Sequence, residues 1–178
     1  MNKNLITLCI PTFNRQDSVC SLINNLIHNQ LNDYADILVI DDGSSDESFD
    51  KMQQFTSEKN IRILKNKTNL GFARNILRLS LESKTEYIAF CTDDEEVVSS
   101  GFKDLFKILD EHSPDFLSTC FICPSNTREH KRISEIELVD AWKSSAHFPG
   151  LVFKKTAIDR VQEDLHFYLD SKNLSAIF

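Results

Sequence analysis

The chain of 178 residues is 41% apolar, with 13 Phe but only four Gly and four Pro, which excludes disordered and low-complexity classes and supplies one sizeable core. Its formal net charge of −7 argues against nucleic acid as a partner, because neutralising phosphates takes a basic surface. No stretch reaches the ~20 apolar residues of a membrane span, and MNKNLITLCIPTFNR turns charged too early for a secretory signal. A cytoplasmic chain is therefore expected, its five cysteines (Cys9, Cys20, Cys91, Cys120, Cys123) reduced. Cys120 and Cys123 have CxxC spacing, but on an extended segment i and i+3 face opposite sides, so packed thiols are favoured over zinc or redox chemistry.

In chain order, β-rich apolar runs at residues 6–11, 37–40, 61–64, 87–91 and 116–123 alternate with helical segments. That rhythm predicts an α/β fold with a mainly parallel twisted sheet. Between the first two runs, Val19, Leu22, Ile23, Leu26 and Ile27 fall on one helical face. A second helix is expected to start at a capping box, Ser44-Ser45-Asp46-Glu47, and to carry Phe49 and Met52 inward. A third should run over about residues 71–83, and a fourth should present Phe102, Leu105, Phe106 and Leu109 to the core.

After Pro124 the rhythm changes. SNTREHKR reads as a polar loop, residues 135–143 as a short helix, and His147-Phe148-Pro149-Gly150 as a turn into another strand. Thr156 is placed to cap a last helix carrying Ile158, Val161 and Leu165. Residues 1–178 are read as one domain, with residues 1–124 forming one half and 125–178 the beginning of a second.

Ligands of parallel α/β sheets bind outside the carboxyl ends of the strands, where loops converge and helix amides point outward. The first four strands here end in IPTFNR, VIDDGSSD, NKTNLGFARN and CTDDEE. A single site on that edge is the economical reading. Asp41 and Asp42 could serve as a helix cap and solvated turn, or accept the imide hydrogen of a uracil ring. Arg74 could be a surface residue, or a guanidinium reaching a base or phosphate. Asp93, Asp94 and Glu95 repel one another unless a cation or strong donors offset their charge. A hard divalent ion such as Mn2+ or Mg2+ fits that need, since one or two carboxylates and a diphosphate complete its shell.

The ordered set ITLCIPTFNR, ILVIDDGSSDES, NLGFARN and YIAFCTDDEEV resembles the inverting glycosyltransferases of family 2, which have the GT-A fold, a Rossmann-like three-layer architecture. By that resemblance residues 1–124 are the nucleotide-sugar-binding half and 125–178 the start of an acceptor-side half that continues further. The resemblance implies that Pro11, Thr12, Asn14 and Arg15 line the nucleotide pocket, that Asp41 or Asp42 reads the base, and that Arg74 and Asp93 also face the nucleotide. It places Asp94, with Glu95 beside it, at the metal. The implied reaction moves a sugar from a UDP-sugar, with inversion, to a saccharide or lipid-linked acceptor in cell-surface polysaccharide synthesis. The implied location is the cytoplasm or the inner face of the membrane, with peripheral association.

One feature departs from the family pattern. A general-base Asp or Glu normally follows in a second acidic motif, within hydrogen-bond reach of the acceptor hydroxyl. Glu163-Asp164 comes early for that role and sits on an amphipathic segment that favours a solvated face. The base is therefore expected beyond Phe178, and His147 is a candidate for acceptor contact against a plain turn histidine. Two alternatives follow: a nucleotide-sugar-binding fragment without catalysis, and a Mg-dependent phosphoacceptor module of the receiver type.

Overall fold

The computed structural model describes residues 5–95, 97, 99–118, 122–123, 126–127 and 150–161. Strand β1 (Ile6–Thr12) is buried at all seven positions. Its side chains alternate between two cores. Ile6, Leu8 and Ile10 join one apolar cluster and Cys9 the other, as a strand covered by helices on both faces requires. Strands β2 (Asp36–Asp41) and β4 (Tyr87–Phe90) split in the same way: Ile37, Val39, Tyr87 and Ala89 face the first core, and Leu38, Ile40, Ile88 and Phe90 the second.

Helices α1 (Gln16–His28), α2 (Ser48–Met52) and α4 (Ser99–His112) supply the first core. Val19, Leu22, Ile23 and Leu26 of α1 are buried there, each side chain contributing about 1.5–3 kcal/mol of transfer free energy. Leu79 of α3 (Phe72–Glu82) and Ile158, from a helical stretch over 155–161, close the second core. The result is a three-layer arrangement.

With β3 (Ile61–Lys65), β5 (Phe116–Ser118) and β8 (Leu151–Lys154) the sheet has the order β3-β2-β1-β4-β8-β5. Strands β1 to β4 run parallel, and β8 pairs antiparallel with both β4 and β5. Strand order therefore reverses between β1 and β4, the topological switch point at which open α/β sheets form their crevice. Pro11 deepens that crevice. The Cys9 carbonyl accepts the Cys91 N–H at 3.0 Å, and the next rung toward β4 would need a donor at position 11, which proline lacks. On the other side β1 stays paired: Asp42 N–H reaches the Thr12 carbonyl at 2.9 Å.

Several expectations are corrected. The fifth apolar run is not one strand. Phe116–Ser118 joins the main sheet, whereas β6 (Ile122–Cys123) pairs with β7 (Asn126–Thr127) in a separate hairpin that takes in part of the expected loop. Helix α2 is capped at Glu47 with no side-chain bond, so the Ser44 capping box does not form. Ser44 bonds elsewhere, as described below. The receiver-type alternative requires the order 2-1-3-4-5, which this sheet does not have. The short helix expected at 135–143 lies outside the described residues.

Candidate functional site

Where the β1–β4 ladder stops, side chains take over. Thr12 Oγ1 donates to Asp93 Oδ2 at 2.7 Å, with both residues buried. Asn14 follows in the left-handed region at φ 53°, which turns the chain away from the strand. Its N–H donates to Ser44 Oγ at 2.8 Å, and its side-chain oxygen accepts the Ser45 N–H at 2.9 Å. Those bonds hold the IPTFNR turn against the loop after β2. Arg15, at the N-cap of α1, then spans both acids after β4: 3.3 Å to Asp93 and 3.0 Å to Asp94.

The end of β2 carries two buried carboxylates with different duties. Asp41 accepts the Ser44 N–H at 3.2 Å and the Ser44 hydroxyl, and Lys65 Nζ lies 3.6 Å from it. Lys65 also donates to the Ser44 carbonyl at 3.2 Å and sits 5.1 Å over the Phe49 ring, which is half-buried while Met52 is fully inside. Asp42 reaches the other way. It accepts from Asn66 Nδ2 at 2.6 Å and from the N–H groups of Leu70 and Gly71, each at 2.9 Å.

Asn66 extends this network to α3. Its amide also donates to Asn75 Oδ1 at 3.1 Å, Asn75 donates to the Ile40 carbonyl at 3.0 Å, and Arg78 donates to Asn66 Oδ1. The carboxyl ends of β2 and β3 and the start of α3 are thereby fixed to one another. Gly43 makes that approach feasible. Its φ is +74°, and an added Cβ would lie 2.7 Å from the Thr68 carbonyl carbon and 2.8 Å from the Asn69 nitrogen.

The acids after β4 differ in environment. Burial pushes the Asp93 carboxyl above its usual range, opposed by the Thr12 hydroxyl and the Arg15 charge. Asp94, half-exposed, is held below it by the Thr92 side-chain bond and by Arg15. Cys91, just before them, is pushed up to about 12 by burial and then by the charges of Glu95, Asp93 and Asp94. Among the described residues no group of three or more His, Cys, Asp or Glu forms a ready-made metal cage. A hard cation that shares its shell with a diphosphate needs only one or two protein carboxylates. Asp94 fits that chemistry: its side chain is 51% exposed and already turned toward a positive group.

Thus Pro11, Thr12, Asn14, Arg15, Asp41, Asp42, Asp93 and Asp94 lie at one edge of the sheet, with half-buried Glu95 beside them. Arg74 is exposed in the first turn of α3, while Arg78, one turn further, enters the buried network. His147, Glu163 and Asp164 lie outside the described residues. Asn75, next to Arg74, is a site residue that sequence analysis does not single out, and it is 1% exposed. Its i, i+4 spacing to buried Leu79 was the available signal. Lys65 and Asn66 gave none, since their partners are distant in sequence.

Parallel strands β1 to β4, an antiparallel strand wedged beside β4, and acids at the switch point define an α/β domain of the GT-A type. Residues 7–172 match the family model for glycosyl transferase family 2, and the chain belongs to that family. It is 23% identical over 113 residues to the poly(ribitol-phosphate) beta-N-acetylglucosaminyltransferase TarS of Staphylococcus aureus strain Mu50, covering 62% of this chain and 20% of that protein. Among solved structures, S. aureus TarS 1–349 in complex with UDP-GlcNAc superposes with a TM-score of 0.71 at 17% identity, over 87% of this chain and 46% of that one. The mannosyltransferase PcManGT from Pyrobaculum calidifontis, in complex with GDP-Man and Mn2+, gives 0.68 at 15% identity, over 90% and 47%. The chain therefore spans about a fifth of the curated relative and under half of these solved chains.

Proposed function

We propose that this chain carries the donor-binding part of an inverting glycosyltransferase. The donor is a nucleotide-diphosphate sugar, read as a UDP-sugar, and the acceptor a saccharide or lipid-linked saccharide of a cell-surface polysaccharide. The observation that supports this best is the Thr12–Asp93–Arg15–Asp94 chain, set in the crevice where strand order reverses. Buried donors and acceptors there flank an exposed carboxylate, the arrangement a nucleoside joined to a metal-bridged diphosphate requires. The solved complexes with UDP-GlcNAc and with GDP-Man and Mn2+ add support from the same fold.

In this reading the 41–46 and 66–71 loops frame the nucleoside, with Asp41 or Asp42 facing the base and Arg74 beside the nucleotide. Asp94, with Glu95 beside it, would hold Mn2+ or Mg2+, which when bound neutralises charge developing on the departing diphosphate. The crevice orients the donor so that an acceptor hydroxyl approaches the anomeric carbon from the side opposite the leaving group, which inverts the centre. No described helix is long and apolar enough to cross a membrane, and we place the protein in the cytoplasm or peripherally at the inner membrane face.

A thermal-shift screen of nucleoside diphosphates with and without Mn2+ tests the reading. UDP with Mn2+ should raise the melting temperature more than either alone, by the linkage between ligand binding and unfolding. Asp94→Ala should remove the Mn2+-dependent part and leave the unliganded melting temperature close to the parent's. No shift with any nucleoside diphosphate would reject the donor site. Donor hydrolysis by this chain would in turn reject the reading of a binding fragment without catalysis.

A further inference from the structure

Arg15 occupies a place that helix electrostatics disfavours. As the N-cap of the 13-residue α1 it puts a guanidinium beside amide groups whose partial charge is positive, where an anion would be preferred. Two features hold it there. Its backbone is fixed, with the Arg15 carbonyl accepting the Val19 N–H at 3.0 Å and left-handed Asn14 pinned to Ser44 and Ser45 just before it. Its fork ends on Asp93 at 3.3 Å and Asp94 at 3.0 Å, one acid per nitrogen. Asp93 is 4% exposed and also held by Thr12, whereas Asp94 is 51% exposed. The contact to Asp94 is the one that opens easily.

We infer that Arg15 is a displaceable internal counter-ion. It satisfies the Asp93–Asp94 pair in the nucleotide-free protein, and it yields Asp94 when a divalent cation arrives together with a diphosphate. This rests on the donor-site reading above. The released guanidinium stays where it is anchored and turns its donors to phosphate oxygens, a geometry to which the planar fork is suited. The consequence is coupling. A free cation must compete with a fixed positive charge, whereas a cation carrying a diphosphate brings the anion that the displaced arginine needs. Metal alone binds weakly, and metal and nucleotide bind as one.

The test is Mn2+ titration of the purified chain, read by the electron paramagnetic resonance signal of free Mn2+, with and without UDP. Arg15→Gln should bind Mn2+ alone tighter than the parent by roughly tenfold or more, as removal of a nearby positive charge predicts. Its gain in Mn2+ affinity on adding UDP should be smaller than the parent's. Arg15→Lys, which keeps a charge but loses the fork, should resemble the parent with Mn2+ alone and lose the gain from UDP. Lys59→Gln removes a charge that pairs with Asp33, away from Asp93 and Asp94, and should match the parent throughout. Equal or weaker Mn2+ binding by Arg15→Gln overturns the inference, as does a matching gain in Lys59→Gln. If neither parent nor variants bind Mn2+ even with UDP, the donor-site reading falls with it, a result distinct from the first two.

Discussion

Thr12 Oγ1 lies 2.7 Å from Asp93 Oδ2, tying the ends of β1 and β4 together where their backbone ladder has already stopped. The bond serves a carboxylate that is 4% exposed, so losing it leaves an acceptor buried without that donor. Thr12→Val keeps the shape and removes only the hydroxyl. A loss of about 1–3 kcal/mol is expected in urea denaturation, the range for leaving a buried polar group unsatisfied. Thr12→Ser should recover most of it. A Val variant as stable as the parent would show that Arg15 alone satisfies Asp93.

Asp42 works on the loop before α3. Its three acceptor contacts, from Asn66, Leu70 and Gly71, span 24 to 29 positions of sequence. Asp42→Asn presents amide hydrogens to groups that are themselves donors. The expected cost is about 1.5–3 kcal/mol, the range for hydrogen bonds to a charged group. Hydrogen exchange gives a local readout. The Leu70 and Gly71 amides should exchange faster than in the parent while those of β1 stay protected; unchanged exchange at both would assign the loop's order to other contacts.

Two glycines give opposite expectations for the same substitution. At Gly43 a methyl group meets the Thr68 and Asn69 backbone at 2.7 and 2.8 Å with φ at +74°, so the 66–71 loop must move. Gly43→Ala should cost about 1 kcal/mol or more from backbone strain alone, and weaken UDP binding as well. Gly101, in α4, has nothing within 4 Å of its added Cβ. Gly101→Ala should stabilise by about 0.5–1 kcal/mol through helix propensity. Melting curves of the two variants decide both claims, and shifts of the same sign would refute the distinction.

What the sequence made legible follows from range of interaction. β1, β2 and β4 appear as apolar runs because both faces of a parallel sheet are buried, β3 appears although it is a partly buried edge strand, and α1 and α3 appear because their apolar residues repeat every three or four positions. The polar strand ends were equally visible, which brought Thr12, Asp41, Asp42, Asp93 and Asp94 into view as one edge. What stayed hidden is carried by pairs far apart in the chain. Asn14 with Ser44, Asn66 with Asp42 and Arg15 with Asp94 leave no local pattern. Ser44 misled for a related reason: the same hydroxyl that suits an N-cap also suits the turn that closes on Asp41, and there it also accepts the distant Asn14 N–H. Likewise β8 runs antiparallel between β4 and β5, a placement that strand composition does not encode.

The buried thiols supply a pH-dependent test of burial beside the site. Cys9 contacts the Leu79 carbonyl and Ser83 hydroxyl at 3.8 and 3.6 Å, and burial raises it from 9.0 to about 12; Cys91 rises equally. In the unfolded chain both thiols ionise near the lower value, so as pH rises the unfolded state loses its protons first. Their stabilising contribution is complete below pH 9.0 and is lost as pH climbs toward about 12. Each thiol then removes stability at about 1.4 kcal/mol per pH unit. Replacing both by Ala costs a constant amount from the cavities left behind, but it abolishes this slope. Denaturation from about pH 8 to about pH 11 should therefore give curves for the parent and the double variant that converge as pH rises, since other groups titrating there act on both proteins alike. Parallel curves would mean that the two thiols ionise in the folded protein as readily as in water, and that neither is sealed in the cores flanking β1 and β4.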